Sequence, residues 1–569
     1  MLRRKLWTAS LLLLLALVPV AARGQDAAAG PSTATGQPAT PAAPPVPFAV
    51  LNIASVDRLL KDTEFMFRSI DRMDVYQFYM SILAGQANDL KGVDRTKPVG
   101  VMMFLEPGFP PKPQPVLYMP ASSADEFIKT AALGKMTFEK VSENKYDVKM
   151  PRGQDKQIAI FTDGLMYMSP SEVLINDQLP DPIRLSETLS SRYDIALSLR
   201  INSVPPLLRD VFVTFLRTTT QAEMQRRDGE GEGEYRFRKA NAQSTMEALE
   251  ILLTQVDDIT IGWDSNEELK KAVLEISVQA KPDSDAAKDI KDMAGRPSMF
   301  HIAQEDTGKP LTLSASWKLN KRERQLWAEM IEAARIKMTE EMTAIMKDTS
   351  GVNTLCDVLA ATVANGHIDL FGQVAVPEPG KFVVLGGVKL QGASAAAPAL
   401  VNAFQQVPED AKEKLLIETN LDSHQGVAFT RFSAKEKEDN KFFGGAPAFW
   451  CGAGQESFWF TFGAGEAFNT LRDTMDRVLT SGPAPGGQSD PFVLIIRRAA
   501  WQSLTPNPER RFEVARHEMA NQAFNSSNDA LKIYTRPTEN GIRTRVEFQE
   551  GFIKIFALFL ARQYDASQL

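Results

Sequence analysis

The sequence predicts an α+β fold made of tandem β-α-α-β-β-α modules, in which antiparallel sheets are covered by helices. At 256–285, two runs of alternating apolar and polar residues flank a polar turn, which is typical of a half-buried antiparallel hairpin. Similar pairs of runs occur at 98–131, 367–397 and 530–561. A strand pattern followed by helical spacing precedes each pair, so the same order of segments recurs along the chain.

The chain opens with the layout of a secretory signal peptide. Arg3 and Arg4 begin a positively charged stretch, an apolar run follows at 11–20, and Gly24 is a small residue at cleavage spacing. The apolar run is shorter than the roughly 20 residues that a membrane-spanning helix needs. We therefore predict that residues 1–24 are removed on export. The mature chain is expected to be soluble in the periplasm or outside the cell, without a transmembrane segment.

Composition predicts a spacer after the signal peptide and an acidic mature protein. Residues 25–46 are mostly Ala, Pro, Thr and Gly, which bury little surface and predict a disordered linker. The chain has 64 basic and 71 acidic side chains, for a net charge of −7. Removal of the signal peptide takes away four basic side chains and makes the balance more acidic. This balance argues against nucleic acid as a partner.

The matched segments predict two duplicated halves of two modules each. In each half, extra strand patterns follow the hairpin of the first module and are missing from the second. A lone strand pair with one apolar face is marginally stable in water, so helices and neighbouring modules are needed to cover it. The predicted units are an extended module 1 at 47–190, module 2 at 191–300, an extended module 3 at 308–485 and module 4 at 486–569.

Local signals mark where two of the helices begin. Ser123 and Glu126 have the spacing of a capping box, in which each side chain satisfies a backbone N–H at the start of a helix. Asp283 and Ser284 follow the hairpin at 256–285 and offer N-cap oxygens to the next helix. On the hairpin itself, alternation predicts that Ile276 faces the core while Ser277 faces solvent.

Two cysteines are too few for a disulfide scaffold, so apolar burial must hold the core. Cys356 shares helical spacing with Val352 and Leu359, which predicts a buried thiol. A bridge between Cys356 and Cys451 is left open, because sequence does not fix the Cα separation that a disulfide requires.

The sequence assigns no catalytic, cofactor-binding or metal-binding residue. No two of the four histidines have the spacing of metal ligands on one face of a helix. The segment 517–521 also lacks the second histidine of the zincin signature. Cys451 with His424 as its nearest base is one candidate for nucleophilic chemistry, but a simple strand position explains Cys451 as well. The histidines are His301, His367, His424 and His517.

Two apolar helical stretches have alternative interpretations. Met338, Met342 and Met346 recur every four residues and could line a groove for a hydrophobic ligand, or simply form the core side of an amphipathic helix. The run at 552–561 is apolar nearly all round but too short to span a bilayer. It is expected to be a buried core helix.

In layout, the chain resembles the uncharacterised exported β/α repeat proteins of planctomycete-type bacteria. The resemblance comes from the signal peptide, the Ala/Pro spacer and module segments such as PFAVLNIASVDRLL at 47–60 and DRTKPVGVMM at 94–103. It covers most of the chain and implies no role for any residue.

Three functional hypotheses follow, and none of them includes a cofactor. The leading one is a non-catalytic protein of the cell envelope or extracellular space, whose tandem modules bind or assemble with a protein or envelope component. The alternative is a carrier of a hydrophobic small ligand in a Met- and Phe-rich groove. The third is a hydrolase with an unrecognised site. A continuous apolar cavity would favour the carrier, whereas broad exposed faces would favour the binding protein.

Overall fold

The computed structural model describes residues 46–106, 111–150, 156–175, 179–293, 297–305, 308–343, 348–436, 438–483, 490–504, 511–525 and 528–568. The predicted signal peptide lies outside the described residues, as does the predicted linker up to position 45. No helix in the described ranges is long and apolar enough to cross a membrane.

The described residues form a mixed α and β structure with one large antiparallel sheet, which confirms the predicted fold class. Helices account for 44% and strands for 32% of the structure. The first ten strands are β1 (Ala49–Ile53), β2 (Val99–Glu106), β3 (Lys112–Pro120), β4 (Thr137–Lys140), β5 (Lys145–Lys149), β6 (Gln157–Thr162), β7 (Leu165–Ser169), β8 (Ile195–Arg200), β9 (Val256–Asn266) and β10 (Lys271–Ala280). The next ten are β11 (Leu311–Lys318), β12 (His367–Glu378), β13 (Lys381–Lys389), β14 (Leu415–His424), β15 (Val427–Ala434), β16 (Ala448–Ala453), β17 (Ser457–Gly463), β18 (Phe492–Arg497), β19 (Ala530–Pro537) and β20 (Gly541–Gln549).

Helices connect the strands at matching places in the two series. The first series contains α1 (Val56–Arg68), α2 (Met73–Ala87), α3 (Ala124–Leu133), α4 (Pro182–Arg192), α5 (Pro206–Glu223), α6 (Glu232–Gln255) and α7 (Asp285–Met293). The second contains α8 (Lys321–Thr343), α9 (Ser350–Asn365), α10 (Ala396–Gln405), α11 (Glu409–Lys412), α12 (Ala467–Ser481), α13 (Arg511–Ala523) and α14 (Glu550–Gln568).

The strand pairings place both series in the same order across the sheet. The first series runs β4-β5-β6-β7-β3-β2-β1-β8-β9-β10. The second runs β14-β15-β16-β17-β13-β12-β11-β18-β19-β20. Antiparallel pairing of β10 with β20 joins them into one sheet, so the four predicted hairpins merge into a single layer. The duplication of the two halves stays a prediction.

Helices from the two series share cores on one side of the sheet. We call this side the helix-covered face, and define it by Ile276 of β10 and by Val546 and Phe548 of β20. Phe548 contacts Phe552 of α14 with ring centroids 6.2 Å apart. Around α14, residues of α1, α2 and α13 form one apolar cluster, and α6 packs against α8. Both contacts join a helix of the first series to a helix of the second.

The opposite side of the sheet, the open face, carries Glu275 of β10 and Arg545 of β20. One helix covers it at each flank. On the first flank, α4 packs over strands β1, β2, β3 and β7. On the second flank, α12 packs over Phe371 and Trp459, whose rings lie 5.9 Å apart. The four central strands β9, β10, β20 and β19 lie between these two apolar flanks.

The hairpin at 256–285 forms as β9 and β10, but the predicted burial of its two faces is wrong. Ser277 and Glu275 are 9% and 6% exposed, whereas Ile276 and Val278 are half-buried. Successive side chains do point to opposite faces, as predicted. The face that was predicted to be exposed to solvent, with Ser277 and Glu275, is part of the open face. Its side chains are buried by neighbouring charged side chains.

Candidate functional site

The cysteine and histidine candidates do not form a nucleophilic pair. Cys451 is fully buried on β16, and burial raises the pKa of its thiol to about 12. Pairing through β15 places Cys451 and His424 on opposite faces of the sheet. His424 Nε2 lies 2.8 Å from Asp476 Oδ1 of α12 instead. Cys356 is also buried, as predicted, and both thiols are free.

The other histidines are dispersed over the fold. His301 lies in the 3₁₀-helix His301–Gln304, His367 begins β12 with Nε2 3.4 Å from Ser316 Oγ, and His517 is half-buried on α13. Across the described ranges, no three His, Cys, Asp or Glu residues are grouped so that they could hold a metal ion.

The methionine stripe is half-buried on α8. Met338 and Met342 are partly covered on a helix that packs against α6 and α9, and Met346 lies outside the described residues. This packing favours the interpretation as a core side of the helix, and the carrier hypothesis with a Met-rich groove stays a prediction.

A buried carboxylate is the centre of the open face. Glu275 accepts a hydrogen bond from the Tyr193 hydroxyl at 2.6 Å, and the Nε atoms of Arg543 and Arg545 each lie 3.2 Å from its carboxylate oxygens. Tyr193 reaches Glu275 because its ring lies directly over Gly262, where a Cβ atom would come within 2.5 Å of the ring. Burial, followed by the bond to Glu275, raises the pKa of Tyr193 well above its usual value. The phenol therefore stays protonated and keeps donating.

Positive charge exceeds negative charge where β20 meets β19. Arg536 lies directly opposite Arg543, an arrangement that like charges disfavour. Arg536 forms a two-point ion pair with Asp490, at 2.8 and 3.0 Å. Three guanidinium groups at 536, 543 and 545 thus share the two carboxylates Glu275 and Asp490, which leaves one positive charge in excess. The three arginine side chains are 65%, 31% and 34% exposed, so solvent and ligands reach them.

An aromatic ring and a second ion pair extend this floor. Tyr534 lies beneath the guanidinium groups of Arg536 and Arg545, each 5.9 Å from the ring centroid. Its hydroxyl donates to Glu547 at 2.8 Å, and burial together with this bond raises the pKa of Tyr534 to about 12. Lys271 pairs with the same carboxylate at 3.3 Å. We call Lys271, Glu275, Tyr534, Arg536, Arg543, Arg545 and Glu547 the central floor.

An acidic cluster lies beside the floor, where α1 begins. Arg58 of α1 pairs with the buried Asp194 at 2.6 Å and with Asp264 at 3.4 Å. Burial, and then the neighbouring charge of Asp194, raises the pKa of Asp62 to about 7. Burial also raises the pKa of Asp264. The open face is therefore basic on β19 and β20 and acidic at this end of β9.

Sequence reasoning found the strands of this site but missed its side chains. It predicted strands from the alternating runs at 530–561 and passed over Arg543 and Arg545, which alternate there with Val546 and Phe548. Two arginines on one face of a strand whose other face is apolar are a signal that could have been followed. Their shared partner Glu275 could not be found this way, because β10 and β20 are 260 residues or more apart in the chain.

Comparison of the chain with protein-family models, with curated proteins and with solved structures finds no match in any of the three.

Proposed function

We propose that this chain is an exported, non-catalytic binding protein and that its central floor binds an acidic segment of a partner protein of the envelope or extracellular space. The observation that carries the proposal is a count of charges. The three arginines of the floor share Glu275 and the neighbouring Asp490, while Lys271 and Glu547 of the floor pair with each other. Export rests on the signal-peptide pattern at the start of the sequence.

The chemistry of the arginines supports an anionic ligand. Arg543 and Arg545 lie 3.2 Å from Glu275 in ion pairs, without a hydrogen bond from either Nε atom to a described residue. Arg536 is held by Asp490. These ion pairs place the three guanidinium groups on the open face before any ligand arrives. Guanidinium groups bind carboxylates through two parallel hydrogen bonds, which are stronger than bonds between neutral groups. The ring of Tyr534 lies beneath the guanidinium groups of Arg536 and Arg545 and supports them. A preorganised site of this kind loses little side-chain entropy on binding.

The shape of the open face supports an extended ligand. The floor spans three neighbouring strands, roughly 10 Å at about 4.8 Å between adjacent strands, and lies between the flanks covered by α4 and α12. An extended acidic peptide can contact several floor residues at once across such a surface.

Fluorescence anisotropy with a labelled hexaglutamate peptide tests the proposal. We expect wild-type protein to bind this probe more tightly than hexalysine, with an affinity that falls as salt rises. Arg543→Gln should weaken hexaglutamate binding about tenfold or more, in line with about 1.5–3 kcal/mol for a charged hydrogen bond. Glu275 keeps Arg545 and Tyr193 in this variant, so the fold should be retained.

Arg217→Gln is the matched control, because Arg217 is another exposed arginine that pairs with a glutamate, Glu250 of α6. This change should leave hexaglutamate binding unaltered. Equal effects of the two substitutions, or equal binding of hexaglutamate and hexalysine, would overturn the proposal.

A further inference from the structure

A concave site lies at the ends of β11, β12 and β13, and none of its lining residues belongs to the central floor. It is a depression of about 520 Å³, lined by three prolines, three alanines, two glycines, one valine, one phenylalanine and one lysine. Lys309 is therefore the single charged residue among these lining residues, and most of the wall is apolar. The volume lies within the range of small-molecule sites, and the depression is open to solvent.

Stacked aromatic rings stiffen one wall. Phe382 is 1% exposed, and its ring stacks on Phe442 at 4.8 Å and on Trp501 at 5.7 Å between centroids. The indole Nε1 of Trp501 donates to the carbonyl of Pro310 at 3.2 Å. Pro310 itself lines the depression. The hydrogen bond from Trp501 therefore connects the aromatic stack to a lining residue.

Lys309 lacks an acidic partner in the contacts that the described residues make. Its amine donates to the neutral carboxamide oxygen of Gln373, whose own NH₂ donates to the carbonyl of Ala303 at 3.3 Å. Burial, and then the positive charge of Arg477, lowers the pKa of Lys309 to about 8. Lys309 is thus a partly buried cation with a neutral partner and a cationic neighbour. An anion that binds beside it stabilises its charged form.

We propose that this depression binds an apolar monocarboxylate, with its carboxylate at the Lys309 amine and its hydrocarbon tail against the exposed Val376, Pro377 and Pro379. The one positive charge selects one negative charge on the ligand. The apolar wall favours a ligand with a hydrocarbon tail over one with a second polar group. Burial of hydrocarbon surface contributes about 25 cal/mol per Å² to the binding free energy.

Isothermal titration calorimetry with decanoate, decanol and acetate tests the proposal on the full mature chain. We expect decanoate to bind at least tenfold more tightly than decanol, which lacks the charge, and than acetate, which lacks the tail. Lys309→Met should remove the preference for decanoate over decanol while leaving decanol binding in place. The preference should also fall as the pH rises through about 8, where the amine of Lys309 loses its proton.

Lys381→Met is the matched control, because Lys381 lies next to Phe382 and pairs with Glu378. It should keep the wild-type preference. Three results would each overturn the proposal: decanoate and decanol bind alike to wild type, Lys309→Met retains the preference, or Lys381→Met loses it as fully as Lys309→Met. Unaltered hexaglutamate binding in Lys309→Met would show that this site and the central floor are independent.

Discussion

At the residue scale, Asp62 couples acidity to stability. The pKa of its carboxyl group is about 7 in the folded protein, whereas an unfolded aspartate titrates near 3.9. The folded state therefore holds more protons than the unfolded state between about pH 4 and 7, and the stability that protonated Asp62 contributes is lost as the pH rises through this window. We expect Asp62→Asn to match the wild-type urea midpoint at pH 4 and to exceed it at pH 8. Parallel midpoint curves for the two proteins from pH 4 to 8 would contradict this assignment.

Single residues were the hardest level to predict. Val352 and Cys356 are buried as their helical spacing predicts, but Leu359, the third residue of that pattern, is 45% exposed. Spacing therefore located the buried side of α9 only approximately.

The burial of Glu275 does not follow from the sequence, because a glutamate in an alternating strand is normally solvated. Its burial depends on a hydrogen bond from Tyr193, at the C-terminal end of α4, and on ion pairs with Arg543 and Arg545 of β20. All three partners are distant from Glu275 in the sequence. The sequence therefore indicates that successive side chains of β10 point to opposite faces of the sheet. It does not indicate which of the two faces is buried by a network of charged side chains.

At the element scale, the contact between α6 and α8 depends on one glycine. Gly233 lies at the start of α6, and a Cβ atom there would come within 2.7 Å of the carbonyl oxygen of Ala333 on α8. Gly233→Val should force the two helices apart and lower the free energy of unfolding by about 1–3 kcal/mol, as overpacking typically does. Chemical denaturation measures this change.

Gly85→Ala in α2 is the control for Gly233→Val, since no atom lies within 4 Å of the added Cβ. Alanine is favoured over glycine in a helix by about 1 kcal/mol, so Gly85→Ala should be neutral or stabilising. If Gly233→Val were equally harmless, α6 and α8 would not be in close contact.

Elements were easier to predict because their signals are local. Ser123 accepts from the N–H of Glu126 at the start of α3, which is one half of the predicted capping box. The Glu126 carboxylate pairs with Lys129 instead of the Ser123 N–H. Ser284 accepts from the N–H of Ala287 at the start of α7. The C-terminal run at 552–561 forms part of α14 but is only partly a core helix. Ala557 and Leu558 are buried, whereas Phe556 is 57% exposed. Composition predicted the helix, while its buried side depends on α1 and α13.

For the whole molecule, we expect one cooperative unfolding transition. β10 and β20 join the two series in a single sheet, and Phe67 of α1 shares an apolar cluster with Phe524 and Leu558 from the far end of the chain. Neither series can unfold without exposing part of the other's core. Calorimetry should show a single peak, with equal calorimetric and van't Hoff enthalpies. Two separated peaks would mean that the predicted halves fold as independent domains.

The pairing of β10 with β20 has a consequence for the predicted duplication of the two halves. These strands occupy the same place in the two series, and Glu275 and Arg545 face each other at the middle of their pairing. In an ancestral homodimer of identical halves, the dyad axis would set two identical side chains against each other here. Two glutamates or two arginines would repel, so a strict dimer disfavours charge at this position. If the predicted duplication is correct, fusion into one chain would break that symmetry and let one copy become acidic and the other basic, so that a charged site could form on the former axis.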